Sequence, residues 1–274
     1  MSIENTPYVP KQRYFMEIAY DGSRYSGWQI QPHCVAVQEI VQEKLSKLFN
    51  KLPIHVIGCS RTDAGVHAQG FVGTFLTPER PDIPPEKVQK ALNRLLPPDI
   101  KIKSIKVVPL EFHARYDTFG KAYTYILNLG NDTPFLCNYS WRSPHRLDVE
   151  KIRAAAARLT GKNDYSSFVV ERSNIDDAVR TIFRIEVQQF DEFCCVTFVG
   201  DGFLYKMIRC LMGTLEAAGA GKLTPDDVSR ILQAKNRSAA PETAPPEGLF
   251  LMKVFYSEEE RTNFKLEKLP FLYN

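Results

Sequence analysis

Three short segments of this chain hold side chains whose types and spacing could do chemistry. The first is Ser60-Arg61-Thr62-Asp63-Ala64-Gly65-Val66-His67, polar and glycine-bearing, with a single carboxylate at Asp63. Taken alone, an Asp before Ala-Gly is a turn former whose carboxylate accepts nearby backbone N–H groups. Arg61, two residues earlier, supplies a partner for a base or phosphate, or else makes an ordinary surface ion pair. The second segment is Lys121-Ala122-Tyr123-Thr124-Tyr125. On a strand its two tyrosines face the same side, either as an aromatic platform that can stack on a nucleic-acid base or as core residues with hydroxyls at the rim. The third is Gly202-Phe203-Leu204-Tyr205-Lys206-Met207-Ile208-Arg209. Read as a helix, it sets Phe203, Met207 and Leu211 on one face and Lys206 with Arg209 on another edge. A core helix with solvated basic residues has the same pattern.

The elements that must position these residues follow from hydrophobic periodicity. Tyr14 to Tyr20 reads as a strand closed by the turn residues Asp21-Gly22-Ser23. Val37, Ile40, Val41, Leu45 and Leu48 recur at helical spacing, and that helix ends near Asn50. Ile54 to Gly58 and Phe71 to Leu76 are apolar runs with the Asp63 segment as a loop between them. A second helix fits Glu86 to Leu96, and Ile100 to Val108 returns as a strand. After Pro109 the pattern restarts, with a strand over Lys121 to Leu129 and a helix over Val149 to Leu159. Phe183, Ile185 and Val187 then alternate with polar residues and form a hairpin with Phe193 to Val199. A long helix is expected over Phe203 to Ala218. Thr224 with Pro225 gives an N-cap and first-turn signal for a shorter one. The loop Asn236 to Gly248 folds over something, and Leu249 to Tyr256 closes the sheet. Strands and helices mixed in this way predict the α+β class, with a largely antiparallel sheet built from two βαββ-type units. The boundary falls near Pro109 to His113.

Composition bounds the function without naming it. Hydrophobic residues make up 44% and charged residues 24% of 274 residues, the usage of a globular protein. The net charge of +3 permits nucleic-acid binding without requiring it. The six cysteines show no CxxC pair and the five histidines form neither HxH nor HExxH, so a reduced cytoplasmic protein without a metal site is expected. Met1 to Arg13 lacks a signal-peptide core, and no apolar run approaches the roughly 20 residues of a membrane span.

Taken in order, Tyr20-Asp21-Gly22-Ser23-Arg24-Tyr25-Ser26-Gly27-Trp28-Gln29, Arg61-Thr62-Asp63-Ala64-Gly65-Val66-His67-Ala68, the Lys121–Tyr125 block, the Gly202–Arg209 block and Gly248-Leu249-Phe250-Leu251 resemble the signature blocks of the tRNA pseudouridine synthase A family. Ser60 stands where many members have glycine, Lys121 replaces a frequent arginine, and Tyr205-Lys206 replaces other polar or aromatic pairs. The resemblance implies two ferredoxin-like halves, 1–110 and 111–274, forming one continuous mixed, mainly antiparallel sheet with helices on one face. The first half carries the Asp loop and the second completes the active cleft. It further implies a homodimer gripping tRNA, no metal, nucleotide or other cofactor, and action on a flipped-out uridine of the anticodon stem-loop, at the thirty-eighth to fortieth nucleotides.

The reaction so implied breaks the N1 glycosidic bond, turns the uracil while it is held, and joins C5 to the ribose. An ionised carboxylate beside the sugar is required, as nucleophile or as the group that manages ribose charge and protons. Asp63 takes that role, and Arg209 is its expected cationic partner. Tyr123 would stack on the extruded base, offsetting part of the few kcal/mol that extrusion costs, and its hydroxyl is the candidate acceptor of the C5 proton. Arg61 would fill the vacated space or hold the phosphate, and Arg24, Lys121, Lys206 and Arg142 are candidate backbone contacts. His67 is expected to brace the loop. Two rivals remain: an RNA-binding module without turnover, which leaves Asp63 unexplained, and a hydrolytic RNA enzyme, which would need clustered carboxylates with a metal or a histidine couple.

Overall fold

A computed structural model describes residues 12–77, 83–131, 133–170 and 177–272. Met1–Lys11, most of the stretch expected to hold no secretion signal, lies outside the described residues. The chain divides into two compact units, Met1–Ala64 with Gly70–Asp117, and Gly65–Gln69 with Thr118–Asn274. Its strands form a mixed, mostly antiparallel open sheet with helices, the expected α+β class.

In the first unit the order is β1 (Gln12–Tyr20), α1 (Val37–Leu48), β2 (Val56–Gly58), β3 (His67–Thr77), α2 (Pro85–Leu95) and β4 (Ile100–Val108). The helix α1 buries Val37, Val41 and Leu45, one residue per turn, and stops where Asn50 and Lys51 take positive φ of 55° and 64°. Only Val88 and Leu92 of α2 are buried; Leu95 is exposed. β1 runs antiparallel to β4, and β2 antiparallel to β3. The spatial order is β4-β1-β3-β2, so last, first, third, second.

The second unit runs β5 (Gly120–Asn128), β6 (Trp141–Arg142), α3 (Val149–Ala156), β7 (Gly161–Asp164), β8 (Val179–Phe190), β9 (Phe193–Gly200), α4 (Met207–Gly219), α5 (Pro225–Ala234), β10 (Leu249–Phe255) and α6 (Glu258–Asn263). The strands β10, β5, β9 and β8 lie side by side in that order, each antiparallel to its neighbour. This repeats the order of the first unit. β7 extends it beyond β8, and β6 lies parallel to the end of β5. One face is a core of Ala122, Ile126, Cys195, Val199, Phe250 and Phe255, covered by Leu266 and Leu269 from the C-terminal segment.

Four sequence expectations are corrected here. β3 begins at His67, not Phe71, because His67 and Ala68 pair in parallel with Phe250 and Leu251, a partner that local sequence does not announce. The long helix begins at Met207, not Phe203, because Lys206 adopts a left-handed φ of 55° and ends the preceding turn. Phe203 and Lys206 therefore do not share helix faces with Met207 and Arg209. In β8 the alternation fails at Phe183, which bulges out of register between Ile182 and Arg184 and lies exposed beneath Arg261. The helix expected to run to Leu159 is α-helical only to Ala156, and Ala157–Leu159 tightens into a 3-10 turn. By contrast, Thr224 caps α5 in a full capping box with Asp227, as its sequence predicts.

Candidate active site

In the first unit the Asp63 segment is fixed by its neighbour Thr62. Thr62 is buried, and its Oγ1 lies 2.9 Å from the Tyr20 hydroxyl. Its carbonyl accepts the Trp28 N–H at 3.3 Å. Gly27 presses against the same peptide with a φ of 84°, and a Cβ there would stand 2.2 Å from Thr62 O and 3.0 Å from the Asp63 carbonyl carbon. Only glycine fits both demands. Trp28 is itself buried, its ring stacked 3.9 Å from Phe71, and Gly58 leaves room for its indole. The Gly27-Trp28 pair thus forms a rigid bed beneath the backbone that carries Asp63. Asp63 is half-buried and Arg61 is exposed. Arg24 forms a 3.6 Å ion pair with Asp99, which also accepts the Tyr25 hydroxyl at 2.7 Å. With its side chain 81% exposed, Arg24 has reach left for a phosphate.

The chain enters the second unit between Ala64 and Gly65 and leaves it between Gln69 and Gly70. In that unit Gly65, with φ of 78°, sits 3.0 Å from Pro246 measured from where its Cβ would be. His67 is buried, stacked 4.5 Å from Phe250, with Nε2 2.8 Å from the Asn138 carbonyl oxygen. These contacts tie His67 to β10 and to the turn that holds Asn138.

Tyr123 lies on β5 in register with Phe198 and Leu251, and meets Phe203 edge-on at 5.4 Å. It is buried to 6% exposure, and Lys121 on the same strand to 9%. Tyr125 does not form a platform with Tyr123. Its hydroxyl donates to the Pro245 carbonyl at 2.8 Å, its ring meets Trp141 edge-on, and Gly248 packs directly on it. Burial, then the nearby Glu247 carboxylate, push the Tyr125 phenol well above its ordinary value, while the Arg209 cation opposes them.

Arg209 occupies the first turn of α4. Every other residue of that helix, Met207–Gly219, is buried. The helices α3 and α5 pack on it, and the loop over residues 236–248 lies across it. Glu242 O is 1.9 Å from where a Gly213 Cβ would be, so the loop rests on the helix backbone. Ala244 N–H donates to Arg209 O at 3.0 Å, and Arg209 Nε donates to Ala244 O at 2.8 Å. Arg237 secures the loop from below, through Ala240 O and the Thr243 hydroxyl. Ala244 and Pro245, which orient Arg209 and Tyr125 through carbonyls, were not legible in the sequence, because a backbone acceptor leaves no residue-type signature. The Gly248–Leu251 block was the one signal nearby.

The two units share one strand order; the first carries a carboxylate on a firmly backed loop, and the second a tyrosine on a strand and an arginine on a helix. Residues 16–117 and 155–257 match the family model for tRNA pseudouridine synthases. The chain is 44% identical to tRNA pseudouridine synthase A of Exiguobacterium sibiricum over 91% of this chain and 99% of that protein. It is 41% identical to tRNA pseudouridine synthase A 1 of Protochlamydia amoebophila, over 90% and 97%, and 41% identical to the tRNA pseudouridine synthase A of Listeria monocytogenes serovar 1/2a, over 89% and 99%. The chain belongs to the tRNA pseudouridine synthase family, and with it to the isomerases that act on uridine in tRNA. Among the described residues no helix is long and apolar enough to cross a membrane.

Proposed function

We propose that this enzyme isomerises uridine to pseudouridine in the anticodon stem-loop of tRNA, at the thirty-eighth to fortieth nucleotides, with Asp63 as the carboxylate that acts on a flipped-out nucleotide. The observation that carries this reading is the mounting of Asp63. Its preceding residue is held by Tyr20 and Trp28, and its own peptide is pressed by Gly27. A carboxylate that only capped a turn would not need so firm a bed, whereas one that must meet a ribose carbon does.

In this reading Asp63 attacks the ribose or manages its charge and protons as the N1 bond breaks. Arg209, oriented by Ala244, is the cationic partner of Asp63. Tyr123 stacks on the uracil and its hydroxyl takes the C5 proton after the new bond forms. Arg61 fills the space the base leaves or holds its phosphate, and Lys121 and Arg24 contact the RNA backbone. The reaction is redox-neutral and internal to one nucleotide, so side chains suffice and no cofactor is invoked. A homodimer working in the cytoplasm completes the proposal.

Tritium release from uracil-5-tritiated tRNA under single-turnover conditions tests it, alongside nucleotide-resolution mapping of the product. The Asp63→Asn variant should bind tRNA as tightly as the parent and release no tritium, with an unchanged melting temperature. Substantial release by a folded Asp63→Asn enzyme would remove the assignment. Arg209→Ala should lower the rate far more than the affinity. A normal rate with a shallower salt dependence of binding would make Arg209 a phosphate contact instead.

A further inference from the structure

We propose that the corner where α3 begins and α4 ends is a second tRNA contact surface, one that grips phosphates away from the reacting uridine. It is carried by His145, Arg146, Lys151 and Lys222, all exposed, with exposed Arg142 on the adjoining strand.

Two chain segments are locked together to make this corner. Asp148 N–H donates to Gly219 O at 2.9 Å, and Gly219 has room for no side chain because Ile152 and Leu147 pack on it. Lys222 N–H donates to Ala217 O at 2.9 Å. The side chains that result are close. Lys222 Nζ lies 2.7 Å from His145 Nε2, near enough for the ammonium to donate to the unprotonated ring nitrogen. Lys151 Nζ stands 3.2 Å from where a Gly221 Cβ would be, one residue before Lys222.

The acidic residues of the same region are committed elsewhere. Glu216 is buried and accepts the Ser143 hydroxyl at 2.5 Å, and that hydroxyl in turn accepts His145 N–H at 3.0 Å. Asp148 caps α3 through Glu150 N–H and Lys151 N–H. Glu150 pairs with Arg153, Asp226 with Arg158, and Asp227 with Arg230. The basic side chains of the corner are not so paired with carboxylates among the ion pairs of the described residues, and the buried Ser143–Glu216 bond holds the His145 backbone in place beneath them. A whole-chain charge of +3 from 35 basic and 32 acidic residues would spread thinly if placed at random. Here Arg142, Arg146, Lys151 and Lys222 bring four exposed cations to one ridge. A polyphosphate backbone is the ligand such a ridge fits, because it offers repeated anions and needs no base-specific groups.

The inference rests on the enzyme's being a tRNA-binding protein and is independent of the role given to Asp63. Equilibrium tRNA binding across a salt series tests it, using the parent and the triple variant Arg146→Gln/Lys151→Gln/Lys222→Gln, with single-turnover rate at saturating enzyme and melting temperature as companions. Removing one phosphate-binding cation should reduce the slope of log affinity against log salt by about 1. The expected result is a slope shallower by about 2 to 3 and weaker binding at moderate salt, with the saturating rate and melting temperature unchanged. A slope equal to the parent's overturns the proposal, whether or not the rate changes. So does an affinity loss that is the same at every salt concentration, since it would report a change of shape and not of charge. Should the triple variant melt early, the single variants Lys222→Gln and Arg146→Gln decide by the same slope, each expected to lower it by about 1. Turnover kept in Asp63→Asn with a shallower slope in the triple variant would remove the catalytic reading and leave this surface standing, and turnover lost in Asp63→Asn with the triple variant's slope equal to the parent's would do the reverse.

Discussion

The hairpin between the second and third strands of the βαββ order is built in two opposite ways. In the second unit β8 ends at Phe190 and β9 starts at Phe193, so Asp191 and Glu192 alone make the turn, with Asp191 at a φ of 49°. In the first unit β2 ends at Gly58 and β3 starts at His67, leaving Cys59 to Val66 between them, and Asp63 sits in that connection. The same architecture thus supports a tight turn that does no chemistry and a longer loop that carries the carboxylate. The longer loop would be expected to be loose. It is not, because the Tyr20–Trp28 segment holds it from behind. Rigidity in one unit comes from a short turn, and in the other from a dedicated backing segment.

The largest effect should come from removing that backing. Gly27→Ala places a methyl against a carbonyl at a positive φ, and should cost more than about 2 kcal/mol of stability. Folded molecules should lose most single-turnover activity. A Gly27→Ala enzyme with the parent's melting temperature and rate would show that the Asp63 loop does not need its bed.

A smaller effect is expected where the second unit uses a loop in the same way. Tyr125→Phe deletes the hydroxyl bonded to Pro245 O and should cost about 1 kcal/mol. Because Pro245 adjoins the Ala244 that orients Arg209, kcat should fall severalfold at constant KM. A fall in melting temperature with kcat intact would confine Tyr125 to packing.

The tight hairpin should be insensitive where the long one is not. Asp191→Val puts a branched residue in the left-handed region and should cost on the order of 1 kcal/mol. Isomerisation by the folded protein should be unchanged. A rate loss there would erase the contrast between the two hairpins.

The smallest effect concerns α5, which only the second unit has. The Thr224 hydroxyl and N–H, then Arg230, hold the Asp227 carboxyl down at about 2, below its usual 3.8. A depressed carboxylate contributes stability that is present above its unfolded value and lost as pH falls toward its folded one. Melting temperature should therefore drop between about pH 4 and pH 2 in the parent, and Asp227→Asn should flatten that limb slightly. An unaltered acid limb would show that the capping box contributes nothing measurable there.

Much of this protein was determined by sequence alone, wherever one residue and its near neighbours decide the outcome. The periodicity of Val37, Val41 and Leu45 is that of an amphipathic helix and is read from near neighbours alone. Thr224-Pro225 starts α5 because both cap atoms and the missing N–H are local. The order of the longer strands and helices followed from such segments, while the short β6, β7 and α6 did not, and the family blocks around Asp63, Tyr123 and Arg209 were legible as motifs. Tertiary structure decided what depends on partners far along the chain. His67 joins a strand because Phe250 lies beside it. Tyr125 leaves the would-be platform because Pro245 accepts its hydroxyl. Arg209 takes its orientation from Ala244, whose methyl side chain says nothing of its carbonyl. Periodicity records which face of an element is apolar, but backbone acceptors and the close approach of a glycine leave no periodic trace, and only the folded chain brings them to the residues they hold.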